Sequence, residues 1–168
     1  MMKPVPTDLA ELYLQQLKGC LSSEKKYGKV IEKLAAAAAT DELKRALALT
    51  SADLPQQKER IKQCLALLNR KATAATSKTD LPFLEHIKQN KVMAKPSVLN
   101  DIKILHTSQQ IFQTKVIAYQ NLQLMASVLE QEHAVLLLEQ STNDNQNNYG
   151  HLVQLSGNII YPEAKNNK

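Results

Sequence analysis

Apolar residues recur three and four positions apart along four long stretches of this chain, the pattern of helices that share one core. The first stretch places Tyr13, Leu17, Cys20, Glu24, Tyr27, Ile31, Leu34 and Ala38 on one face. The second places Leu43, Leu47, Thr50, Leu54, Gln57, Ile61, Cys64 and Leu68 together. The third starts near Ser97 and ends near Glu130, with Val98, Ile102, Leu105, Phe112, Val116, Tyr119, Leu122, Ala126 and Leu129 as its apolar positions. The fourth runs from about Glu132 to Ile159, with Val135, Leu138, Thr142, Asn145, Tyr149, Leu152 and Leu155 on one side. Each stretch of about 28 residues would form a rod about 42 Å long. Four such rods predict a four-helix bundle.

Composition points the same way. Four Gly and six Pro in 168 residues are too few turn formers for a sandwich or barrel. With no Trp and 4% aromatic residues, the core must be built from Leu, Ala, Ile and Val. The apolar share of 43% and charged share of 22% argue against wholesale disorder. The length suits one domain over 1–168, with an arm at 1–6, a polar linker at 71–80 and a tail at 161–168.

Local signals set the boundaries. Thr7-Asp8 and Thr40-Asp41 are N-cap pairs for the first two helices. Pro55 inside the second predicts a kink near Ala52 or a split there. A short helix over 82–93 follows the linker, and Lys95-Pro96 breaks the chain again. The run STNDNQNN at 141–148 has poor helix propensity. Helix is favoured because apolar spacing resumes in register at Tyr149 and Leu152; a loop is the competing reading. The short first loop makes helices one and two antiparallel neighbours, whereas the longer second link could carry the chain along the bundle.

Charge is uneven. Residues 1–95 carry 17 basic and 10 acidic groups, residues 96–168 carry 4 and 6, and the whole chain is +5. The Lys residues are spread along helices without an Arg cluster or interleaved aromatics. A solvated helix face is therefore the expectation, ahead of a nucleic-acid surface on the basic N-terminal half. Cys20 and Cys64 form no C-x-x-C pair and fall on apolar faces, where Cys acts as a small hydrophobe. The N-terminus lacks a signal-peptide apolar run, and no segment is apolar enough to span a bilayer, so the expected location is the cytoplasm.

The seams themselves carry the functional information. Near the middle of each helix the inward face turns polar: Glu24 on the first, Thr50, Asp53 and Gln57 on the second, Ser108, Gln109 and Gln113 on the third, Thr142, Asp144 and Asn145 on the fourth. Buried polar groups are costly unless paired, so such a layer has a reason. One reason is a di-metal carboxylate centre, which wants four carboxylates and two His, with a Glu-x-x-His turn on each of two helices. That set is incomplete: the stretch 103–129 contains no Asp or Glu.

Residues 11–47 (ELYLQQLKGCLSSEKKYGKVIEKLAAAAATDELKRAL) and 56–68 (QQKERIKQCLALL) resemble the YciE/YciF family of ferritin-like bacterial proteins. Helices three and four match mainly in layout. The resemblance implies an all-α, ferritin-like four-helix bundle with one additional short helix, often a dimer, in a family linked to stress responses. Of the family's metal positions, the first-helix Glu falls on Glu24. The second-helix Glu-x-x-His pair falls on Ala52 and Pro55, with Asp53 the nearest acid. The third-helix Glu-His pair falls on Phe112 and Gln113, and a following Glu falls on Lys115. The fourth-helix acids fall on Asn143, Asp144 and Asn145. One acid is kept, two are substitutes, and the histidines are gone.

Other chemistry is thinner. Glu130 and His133 form a Glu-x-x-His pair, but at the expected turn between helices three and four. His86, His106 and His151 are isolated. No G-x-S-x-G, partnered Cys or Gly-rich phosphate loop is present. Tyr13, Tyr27, Tyr119 and Tyr149 read as core residues whose hydroxyls reach the polar layer. The leading expectation is a non-catalytic bundle with a degenerate site, acting by self-association, as a homodimer, or through a protein partner. Its amide layer would comprise Thr50, Gln57, Gln109, Gln113 and Asn145. The alternatives are a binder of iron or manganese through Glu24, Asp53 and Asp144, and a nucleic-acid binder.

Overall fold

The computed structural model describes residues 5–73, 85 and 95–166. Four long helices are present: α1 (Leu9–Ala37), α2 (Asp41–Leu67), α3 (Val98–Val128) and α4 (Glu132–Leu155). No strand occurs among the described residues. His86, linker residues 74–80 and nearly all of the short helix expected over 82–93 lie outside the described residues.

Helix starts follow their caps. The Asp8 side chain accepts from the Glu11 amide at 2.8 Å, and the Glu11 carboxylate accepts from the Thr7 amide at 2.9 Å, a reciprocal closure of the first turn of α1. Ser97 caps α3 through the Asn100 amide at 3.1 Å. Thr40 occupies the N-cap of α2, but its side chain makes no cap bond. Instead Asp101, at the start of α3, reaches across and accepts from the Ala39 amide at 2.7 Å and the Thr40 amide at 2.8 Å. Asp101 is fully buried, and its charge lies at the positive end of α2.

That contact also fixes the topology. The α1–α2 corner and the start of α3 share one end of the bundle. At the other end Tyr13, Cys64, Ala126 and Ala134 belong to one apolar cluster. Hence α3 runs antiparallel to α1, and the end of α2 and the start of α3 lie at opposite ends of the bundle. α1 packs on α2 and α3, and α4 packs on the same two.

Three local expectations meet the structure differently. α2 passes through Pro55 as one helix and is not split. Residues 141–148 are helical throughout, the reading the resumed register favoured. Beyond Leu155 the chain is neither at its helical end nor a plain tail. A π turn, Ser156–Ile160, leads into a short helix α5 (Tyr161–Asn166). The turn brings the Tyr161 hydroxyl within 2.9 Å of His106 Nε2.

The apolar core is in two pieces. One cluster joins the C-terminal half of α1 and the N-terminal half of α2 with Leu105, Phe112 and Leu152. The other joins Leu17, Ile61, Tyr119 and Leu138 at the opposite end. Between them lies the polar layer.

Candidate functional site

Each long helix sends a polar side chain into that layer. Glu24, midway along α1, is 2% exposed. Lys115 and Tyr119 sit four apart on α3, so they project from the same face toward α1. The Tyr119 hydroxyl donates to Glu24 Oε1 at 2.9 Å. Lys115 Nζ lies 3.0 Å from Glu24 Oε2, and Lys115 is itself 2% exposed. The same ammonium stands 5.8 Å from the centre of the Phe112 ring, within cation–π reach. Burying either charge alone would cost several kcal/mol; together they offset much of that cost. Burial, then the Glu24 charge, pushes the Tyr119 hydroxyl well above its ordinary value, so it stays a proton donor.

The other half of the layer joins α2 to α4. Asn145 Nδ2 donates to Gln57 Oε1 at 3.1 Å and back to the Ser141 carbonyl at 2.7 Å. Arg60 donates to the Asp144 carboxylate and, at 3.3 Å, to the Ser141 hydroxyl. Hydroxyls settle on their own helices: Thr50 on the Leu47 carbonyl, Ser108 on Ile104, Thr142 on Leu138. These bonds account for a helix through STNDNQNN. Of its side chains, Thr142 and Asn145 donate to the preceding turn, and Ser141, Asp144 and Asn145 bind α2.

Of the residues expected in the amide layer, Thr50, Gln57 and Asn145 are buried there. Gln109 instead donates to the Ser156 hydroxyl at 3.1 Å, at the π turn. Gln113 is half-buried, at the edge of the layer.

The oxygen set Glu24, Asp53 and Asp144 is not assembled. Asp144 is taken by Arg60, Asp53 is half-buried on α2, and Glu24 is taken by Lys115 and Tyr119. Among the described residues no three His, Cys, Asp or Glu side chains stand close enough to share an ion. The donor set therefore does not fit a di-metal centre: a single carboxylate faces an ammonium and a phenyl ring. Ala52 and Pro55, where the resemblance would put a Glu-x-x-His pair, are exposed.

The described histidines lie away from the layer. Glu130 and His133 are exposed at the α3–α4 turn, His151 is exposed on α4, and His106 is held by Tyr161. Three basic residues of α2 are paired along the helix surface, Lys44–Asp41 at 3.6 Å, Arg45–Glu42 at 3.5 Å and Lys62–Glu59 at 3.2 Å. Both cysteines are buried, and neither forms a disulfide.

Cys64 lies against Tyr13, and burial pushes its thiol up to about 12. Its thiolate fraction at pH 8 is then of order one in ten thousand. Cys64 is expected to resist a thiol reagent in the native state at pH 8 and to react fully in denaturant. The linked stability is complete below the ordinary thiol value of 9.0 and is lost as pH rises toward about 12. An alkaline unfolding titration reads that fall; rapid native labelling would contradict the assignment.

Sequence patterns leave Asp101 unassigned, and they place Lys115 only where a family Glu falls, without pairing it with Glu24. Lys115 carried a usable signal, because it is spaced with Phe112 and Tyr119 on a helix otherwise nearly free of charge. Asp101 carried none, since its partners are 61 and 62 positions away.

A family model described as a domain of unknown function, DUF892, matches residues 8–165. The chain belongs to that family. The likeness to YciF is also structural. The E. coli stress protein YciF superposes with a TM-score of 0.84 at 20% identity, over 93% of this chain and 99% of that one. YcfI of Rhodopseudomonas palustris, described as a candidate structural protein, superposes at 0.83 and 17% identity, over 90% and 97% of the two chains. None of the curated proteins compared matches this one. At these identities the structural matches establish the fold: an all-α bundle of the YciF type. No described helix is long and apolar enough to cross a membrane.

Proposed function

We propose that this DUF892 protein is a non-catalytic, stress-related bundle of the cytoplasm whose degenerate metal site is closed by its own lysine. It acts by self-association. The observation that carries the reading is the buried contact between Lys115 Nζ and Glu24 Oε2 at 3.0 Å. An ammonium in that position supplies the positive charge that a carboxylate inside a bundle needs, without an ion from solution. The Asn145–Gln57 bond joins α2 to α4 across the rest of the layer, while Gln57 Nε2 and Asn145 Oδ1 are buried without a partner. The names given to YciF, a stress protein, and YcfI, a candidate structural protein, support a role of this kind.

Thermal unfolding with and without a strong chelator tests the reading. The midpoint is expected to be the same in both, and iron(II) is expected to be oxidised no faster than in buffer. A midpoint that falls with chelator and recovers with manganese or iron, or oxygen-dependent iron oxidation above background, would overturn it.

A further inference from the structure

Two amides of the polar layer are half-satisfied, and their bonds say which atom is which. Asn145 donates to the Ser141 carbonyl at 2.7 Å, which fixes Nδ2 as its nitrogen and leaves Oδ1 as an acceptor. The same Nδ2 donates to Gln57 at 3.1 Å, which fixes Oε1 as the oxygen and leaves Nε2 as a donor. Asn145 Oδ1 and Gln57 Nε2 are both buried without a partner. Gln57 is 1% exposed and Asn145 is 0%, so bulk solvent meets neither need. A buried donor and a buried acceptor left unpaired are costly, and they call for a bridging group.

The charged half of the layer has the same two openings. Lys115 carries three N–H bonds, and its ionic contact with Glu24 Oε2 at 3.0 Å engages at most one of them. Beyond that contact, neither Lys115 Nζ nor Glu24 Oε2 has a hydrogen-bond partner.

These groups share one cross-section of the bundle. A Cβ added at Gly28 would stand 3.2 Å from Leu54 Cδ1, so Gly28 on α1 is level with Leu54 on α2. One turn further along this antiparallel pair, Glu24 is level with Gln57. Both are buried in the bundle interior. Lys115 is tied to Glu24 and Asn145 to Gln57, so all four long helices contribute to this level, between the two apolar clusters.

The set is two donors, Gln57 Nε2 and Lys115 Nζ, and two acceptors, Asn145 Oδ1 and Glu24 Oε2. A metal ion does not match it, because an ammonium and an amide N–H would face the ion. An anion does not match it, because a carboxylate would. A water molecule accepts two hydrogen bonds and donates two, and buried waters take about three polar partners. We infer that one internal water is built into this level, accepting from Gln57 Nε2 and Lys115 Nζ and donating to Asn145 Oδ1 and Glu24 Oε2. The inference rests on the closed site proposed above and names the ligand it holds. Such a water joins the α1–α3 pair to the α2–α4 pair in one hydrogen-bonded network.

A high-resolution crystal structure of the full chain and water-selective NMR test it together. One ordered water is expected at about 2.7–3.2 Å from all four atoms. In solution, the side-chain amide protons of Gln57 and Asn145 are expected to give cross-relaxation peaks to water with the sign of a long-lived contact. Oxygen-17 relaxation dispersion should count one long-lived water fewer in Gln57→Met/Asn145→Leu, which removes both orphaned amide atoms. No ordered water at that position and no water peaks would overturn this inference and leave the closed site standing. A water bound to Lys115 and Glu24 alone, or a dispersion count unchanged in the variant, would overturn the bridge. A metal ion at contacts of about 2.1 Å in place of the water would overturn the closed site as well.

Discussion

Lys115→Met is expected to destabilise the protein by about 3–5 kcal/mol, because it removes one partner of a buried pair and leaves Glu24 with only the Tyr119 hydroxyl. Glu24→Gln should cost a similar amount for the mirrored reason. The double variant Glu24→Gln/Lys115→Met should recover most of the loss, since no uncompensated charge then remains. Urea unfolding of the four proteins at neutral pH gives the coupling directly. Additive costs in the double variant would count against the pair as the organising contact of the layer.

The second large effect is expected at Asp101. Its carboxylate holds the Ala39 and Thr40 amides at 2.7 and 2.8 Å from a fully buried position. Two charge-assisted bonds are worth about 1.5–3 kcal/mol each, and truncation also leaves two amides without partners. Asp101→Ala should cost about 3 kcal/mol or more, with Asp101→Asn intermediate because one acceptor oxygen remains. Hydrogen exchange should localise the damage, with Ala39 and Thr40 losing protection first while the Tyr13–Cys64 end holds. Uniform loss of protection along the bundle would show that Asp101 is an ordinary core residue and not the clasp of the α1–α2 corner.

Most of the bundle was written in short-range patterns. The seams of α1 and α2 needed only the alternation of three and four, and α4 needed only Tyr149 and Leu152 in register to carry helix through its amide run. Where expectation and structure part, a long-range contact is involved. Thr40 was the natural cap for α2, but a carboxylate on another helix does the work. Gln109 belonged on the inward face by spacing, yet the π turn supplies Ser156 as a nearer partner. The residual oxygen set was reasonable as composition, with three acids near three helix midpoints. It does not form, because Arg60 draws Asp144 aside and Lys115 meets Glu24 across 91 positions. A spacing rule places a residue on a face; it does not say which charge arrives from the neighbouring helix.

That pairing ties the fold to the functional reading. The ammonium that keeps Glu24 from being an orphan is also the cation on which the proposed closed site rests. The layer it belongs to separates two apolar clusters. In the proposed reading, stability and the closed site share one cause.

Metal content bears on this most directly. The full chain, produced with iron and manganese in excess and purified without chelator, is compared with Glu24→Ala prepared identically. Lys115 as the resident cation predicts clearly substoichiometric metal in both, with no difference between them. Near-stoichiometric iron or manganese in the wild type, lost in Glu24→Ala, would contradict it.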